Sequence, residues 1–110
     1  MSRPDLDQVL GFEWDAGNTR KNEKHGVSQS EAEELFFNEP LVVAEDDRHS
    51  RHEARYHALG QTSARKLLHV TFTLRQAGTL IRVISARPMS RKELALYEQE
   101  TPQGAPSLPE

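Results

Sequence analysis

LLHVTFTLRQAGTLIRVISA, residues 67–86, decides the fold. Its first eight residues place Leu68, Val70, Phe72 and Leu74 on one parity and Leu67, His69, Thr71 and Thr73 on the other. That two-residue period belongs to a β-strand with one buried face. Arg75-Gln76-Ala77-Gly78 then reads as a four-residue hairpin loop, after which TLIRVISA is β-rich again. In this second strand Ile81 and Val83 share a parity with Ser85 and Arg87, while Arg82 goes with Ile84 and Ala86.

Upstream, EARYHALG (53–60) is a third strand, with Ala54, Tyr56 and Ala58 on one parity and Glu53, Arg55, His57 and Leu59 on the other. LVVAE (41–45) is a fourth, followed by an acidic turn at Asp46–Asp47. Before Pro40, Ser28-x-x-Glu31 matches a capping box, and Ala32, Leu35 and Phe36 follow at helical spacing. That helix stops by Asn38–Glu39, since proline disfavours helical geometry in the residue before it. Asp15 is a plausible N-cap for a short polar helix through Lys24 or His25, with Gly26 as its C′ residue. FEW (12–14) alternates as a short strand would. Downstream, Pro88 ends the sheet and Ser90-x-x-Glu93, a second capping box, opens a helix holding Leu94 and Tyr97. Gly60 reads as a strand end.

The order β-α-α-β-β-β-β-α predicts an α+β fold: a mainly antiparallel sheet with helices packed on one face. Residues 1–11 read as a loose lead-in and 12–100 as a single domain. Residues 101–110, with three prolines in ten, read as a disordered tail. Helices packed on the apolar parities leave Glu53, Arg55, His57, His69, Thr71 and Arg82 together on the opposite face.

Composition narrows the partners. With 110 residues, 35% apolar and 28% charged, the chain is a small globular domain of polar character. It has no cysteine, no apolar run of membrane-spanning length and no signal-peptide pattern, which agrees with a cytoplasmic protein. The net charge of −3 conceals an asymmetry. Residues 1–47 carry four Lys/Arg and twelve Asp/Glu; residues 48–92 carry ten Lys/Arg and one acid, Glu53; residues 93–110 carry four acids and no base. This distribution suggests one face built for anions.

RHSRHEARYH (48–57) concentrates histidine and arginine. A metal site would need converging ligands, but the metalloprotease pattern H-E-x-x-H is absent, His52 and His57 have opposite parity, and neighbouring arginines repel a cation. We therefore expect neither metal nor cofactor. Phosphate fits better, because arginine offers a permanently charged planar fork. Metal-free RNA cleavage needs a base for the 2′-OH, charge on the phosphorane and an acid for the 5′-oxygen. Glu53, His25, His57 or Lys24 can handle protons; Arg55, Arg82 and Arg87 can hold phosphate. Composition alone does not separate catalysis from passive binding.

FEWD (12–15), N-E-KHGVS (22–28), EAEELFFNEPL (31–41), HS…E-R-YHALG (49–60), FTLR (72–75) and IRVISAR-MSRKE (81–93), in this order, resemble the BrnT family. Its members are toxins of bacterial type II toxin–antitoxin systems. The resemblance implies a RelE-like fold and a ribosome-independent endoribonuclease that arrests translation. It further implies a BrnA-like ribbon-helix-helix antitoxin, with operator DNA engaged only through the toxin–antitoxin complex. Carried over by position, the motif-borne candidates are Lys24, His25, Glu53, Arg55, Arg82 and Arg87; of the face as a whole we expect His25, Glu53, Arg55 and Arg82 to be catalytic and Lys24, His57, His69 and Arg87 to bind RNA. Relatives generally place one more residue before the Lys-His pair than this chain does. That departure favours the alternative of a catalytically inactive module that holds an antitoxin or nucleic acid.

Overall fold

The computed structural model describes residues 6–15, 25–46 and 53–100. Five strands form one sheet in the order β1-β5-β4-β3-β2. They are β1 (Gly11–Glu13), β2 (Val42–Glu45), β3 (Arg55–Gln61), β4 (Leu67–Arg75) and β5 (Leu80–Pro88). Helix α1 (Gln29–Glu34) continues into a 3-10 turn (Leu35–Phe37), and α2 (Arg91–Glu100) follows the sheet. The α+β class and the antiparallel β2–β5 meander are as expected. The short helix expected over residues 15–25 falls mostly outside the described residues, as do Lys24, His49, His52 and the C-terminal ten residues. Strand β1 differs from a simple extension of the meander: it pairs in parallel with β5, matching Glu13 to Arg82.

The apolar parities make the core. Ala58, Leu68, Val70, Phe72, Ile81, Val83 and Ala86 are buried together with Val27, Ala32 and Leu35. Phe36 meets Phe72 edge-on at 5.1 Å and Phe12 at 5.7 Å, so the turn after α1 fastens β1 to the sheet centre. Fully burying a ring such as Phe72 contributes about 2–3 kcal/mol. Trp14 reinforces the join by donating its indole N–H to Glu33 at 2.7 Å. Gly60 falls at the end of β3 as read, one residue before its last. It packs against the 3-10 turn after α1, where a Cβ would stand 3.0 Å from Leu35 Cδ1, so the position admits that turn because it lacks a side chain. Leu6 and Val9, in the lead-in, also pack on the core.

Two local features shape the other face of the sheet. The β4–β5 register steps from Phe72↔Val83 to Thr71↔Ser85, leaving Ile84 as an extra residue on β5. Simple parity puts Arg87 with Ile81 and Val83; the bulge moves Ser85 and Arg87 to the other face and Ala86 into the core. Second, α1 covers the apolar face but α2 lies against the opposite one. That face is apolar at one end, where Leu59 and Val42 pair across β3 and β2, and Leu96 of α2 approaches them. Tyr97 anchors the helix by donating to the carbonyl of Pro40 at 2.6 Å.

Candidate functional site

The hydrogen-bond register arranges the second face in four rows across the strands. Glu53 and Arg75 form one, joined by a 3.2 Å ion pair. Arg55, Thr73, Arg82 and Glu13 form the next. Ala44, His57, Thr71 and Ser85 form the third, and Val42, Leu59, His69 and Arg87 the fourth. The six residues expected on one face are therefore together, and Arg87 joins them through the bulge. Arg75 joins them too; it was read as part of the hairpin loop, but the loop begins one residue later, with Gln76, Ala77 and Gly78 all at positive φ. His25 stands apart from this strand array, exposed in the turn before α1.

Most cations of the face have carboxylates beside them. Arg82 reaches Glu13 at 3.1 Å and Asp15 at 2.5 Å, so the basic β5 is answered by the acidic β1. His57 contacts Asp46 through Nε2 at 2.9 Å and Thr71 Oγ1 through Nδ1 at 3.1 Å. Asp46 accepts from Nε2 of this half-exposed imidazole, and the Thr71 hydroxyl lies beside its other nitrogen. The His57 and His69 rings lie 4.9 Å apart.

At the far end, Arg87 makes a two-pronged pair with Glu93, at 2.8 and 2.7 Å. Glu93 also closes the capping box of α2 with Ser90. The Arg87 hydrogen bonds, ahead of the opposing effect of burial, hold the Glu93 carboxyl down at about 2. His69 is buried, with its Nε2 3.9 Å from Glu93 and its Nδ1 without a hydrogen-bond partner among the described residues. Burial, the leading cause, pushes its pKa down to about 4, so the imidazole is neutral at physiological pH.

Sequence reasoning missed Asp46 and Glu93 as members of this face. Asp46 read as a turn residue and Glu93 as a helix cap; both readings were local, and nothing local shows which strand lies alongside. Among the described residues, no three His, Asp or Glu side chains are grouped to hold a metal. No helix among them is long and apolar enough to cross a membrane.

Residues 14–93 match the model of a family described as "Ribonuclease toxin, BrnT, of type II toxin-antitoxin system". The chain belongs to the BrnT family. Its fold is similar to the 1.1 Å crystal structure of the Brucella abortus ribonuclease toxin BrnT, with a TM-score of 0.58 and 22% identity over 76% of this chain and 100% of that one. No curated protein sequence matches the chain. As a BrnT-family ribonuclease toxin of a type II system, it has RNA as its substrate and an antitoxin as its partner.

Proposed function

We propose that this BrnT-family chain cleaves RNA without a metal, on the four-row face, and thereby arrests translation in the cytoplasm. A BrnA-like ribbon-helix-helix antitoxin neutralises it, and operator DNA is reached only through that complex. The observation that carries the reading is the row Arg55–Thr73–Arg82, flanked by Glu53 on one side and His57 on the other. In the reaction the 2′-oxygen attacks phosphorus and the bond to the 5′-oxygen breaks. A base takes the 2′ proton and an acid returns one to the leaving oxygen. Arg55 and Arg82 stabilise the charge on the phosphorane, the role metal ions fill in other nucleases. Glu53 serves as a proton carrier beside this row; His25, the other carrier expected from the family pattern, stands apart from the strand array, and Lys24, His57, His69 and Arg87 are assigned to RNA binding.

This mechanism leaves a 2′,3′-cyclic phosphate and a 5′-hydroxyl. End-group analysis of cleaved RNA tests it: those ends are expected, and a single 2′-deoxy substitution at the cut nucleotide should abolish the cut. A 3′-hydroxyl with a 5′-phosphate would contradict it, because water and not the 2′-oxygen would then be the nucleophile.

One observation favours the alternative of an inactive module that holds an antitoxin. The Arg82 guanidinium already lies between Glu13 and Asp15, and a phosphate must compete with both. A well-folded protein that cuts no RNA yet binds its antitoxin would decide for that alternative.

A further inference from the structure

Rows three and four, together with α2, enclose a groove of about 340 Å³ whose character differs from that of the arginine row. Val42, Leu59 and Leu96 give it aliphatic walls, Ala44 leaves room between them, and the imidazoles of His57 and His69 form one side. Its charged groups already have partners: Arg87 is paired with Glu93 through two hydrogen bonds, and the Asp46 carboxylate accepts from His57. An anion gains little there. A neutral, flat, partly polar group gains burial against the aliphatic walls and stacking on imidazole.

The volume is at the lower end of the roughly 300–1,000 Å³ of small-ligand sites. His57 follows Arg55 by two residues on the same face of β3, a step of about 7 Å along the strand. A phosphate held at Arg55 thus has its flanking nucleoside within reach of the groove. We propose that the groove between Leu59 and Leu96 is a nucleobase subsite, which takes one unpaired base of the RNA substrate beside the cleaved phosphate. The inference rests on the ribonuclease reading for its ligand.

The test uses the full chain and a 2′-O-methylated trinucleotide, which cannot be cut through its 2′-oxygen. Binding is followed by NMR at the imidazole protons of His57 and His69, and compared with the same trinucleotide lacking its central base. The intact ligand should shift both histidines, and the abasic one should bind about ten-fold more weakly or worse. Ala44→Trp, which fills the groove from an exposed strand position, should weaken the intact ligand similarly and erase the difference between the two. Leu96→Ser, on the exposed side of α2, should reduce that difference without touching the sheet. Equal binding of intact and abasic ligands, or no binding of either, overturns the subsite. Cleavage by the same samples is scored separately. Base-dependent binding without cleavage sinks only the nuclease reading, whereas cleavage with base-independent binding sinks only the subsite.

Discussion

Ser28-x-x-Glu31 and Ser90-x-x-Glu93 are the same four-residue device at the start of two helices. Both close with the serine hydroxyl on the third backbone N–H and the glutamate on the serine N–H. Their tertiary fates differ. Glu31 is about as covered as Glu93, but its carboxyl is lowered first by the half-exposed Lys66, a single ion-pair contact at 2.9 Å. Glu93 faces the sheet, where it takes both prongs of Arg87 and lies near a buried histidine. Local sequence thus dictates the cap. The bulge at Ile84, by moving Arg87 to that face, decides that one cap is also an electrostatic hub.

Truncation should expose the difference most strongly. Glu93→Ala removes a cap and leaves Arg87 without its bidentate partner beside a buried imidazole. We expect a loss of about 2–4 kcal/mol in urea denaturation. Comparable losses from Glu31→Ala would mean that the cap alone matters at both helices, and would break the comparison.

A double-mutant cycle isolates the pairs themselves. Arg87→Met with Glu93→Gln should give a coupling near 2 kcal/mol, because the geometry is two-pronged and partly shielded. Lys66→Met with Glu31→Gln should give no more than about 0.5 kcal/mol, as for other exposed ion pairs.

Acid should act through the Glu93 end in two stages. His69 has a folded pKa of about 4 against 6.5 when free, so the unfolded chain binds its proton first. Stability should therefore fall as pH drops from about 6.5 to 4, and this contribution should change no further below that. Glu93, with a folded value of about 2 against 4.5, contributes stability that is complete above 4.5 and lost as pH falls towards 2. The first stage should amount to roughly 1–2 kcal/mol after solvent screening. A His69→Gln variant whose pH profile over 6.5–4 matched the wild type would show that burial of His69 is not the cause.

The smallest effect belongs to the other cap. Glu31→Gln keeps a side chain able to accept the Ser28 N–H and loses only the exposed pair with Lys66. Its midpoint should move by no more than about 0.5 kcal/mol, and less in high salt.

The same contrast between local and tertiary information explains what was legible in the sequence. The β4–β5 hairpin, strands β2 and β3, and both capping boxes follow from side-chain period and turn chemistry, and they form close to where the sequence puts them. Three features depend on partners distant in the chain. The parallel pairing of β1 with β5 has no periodic signature in a three-residue strand, yet it brings Glu13 and Asp15 to Arg82. The Ile84 bulge is invisible to a strict two-residue count, and it reassigns Arg87 and Ala86. The position of α2 follows from Leu59 and Val42 giving the polar face an apolar end, a patch that appears only once β2 and β3 are in register. The basic middle of the chain therefore looked more anionophilic than it is, because its acidic flanks fold back onto it.

In the proposed reaction Arg55, in the row between Glu53 and His57, serves RNA cleavage that needs no metal. A labelled single-stranded RNA incubated with wild type and with Arg55→Ala, each with and without EDTA, tests it most directly. Cleavage by the wild type is expected, and EDTA should leave it intact. A loss of about 100-fold or more is expected in the variant under conditions where it remains folded. Cleavage abolished by EDTA, or cleavage at the wild-type rate by Arg55→Ala, would contradict the proposed reaction.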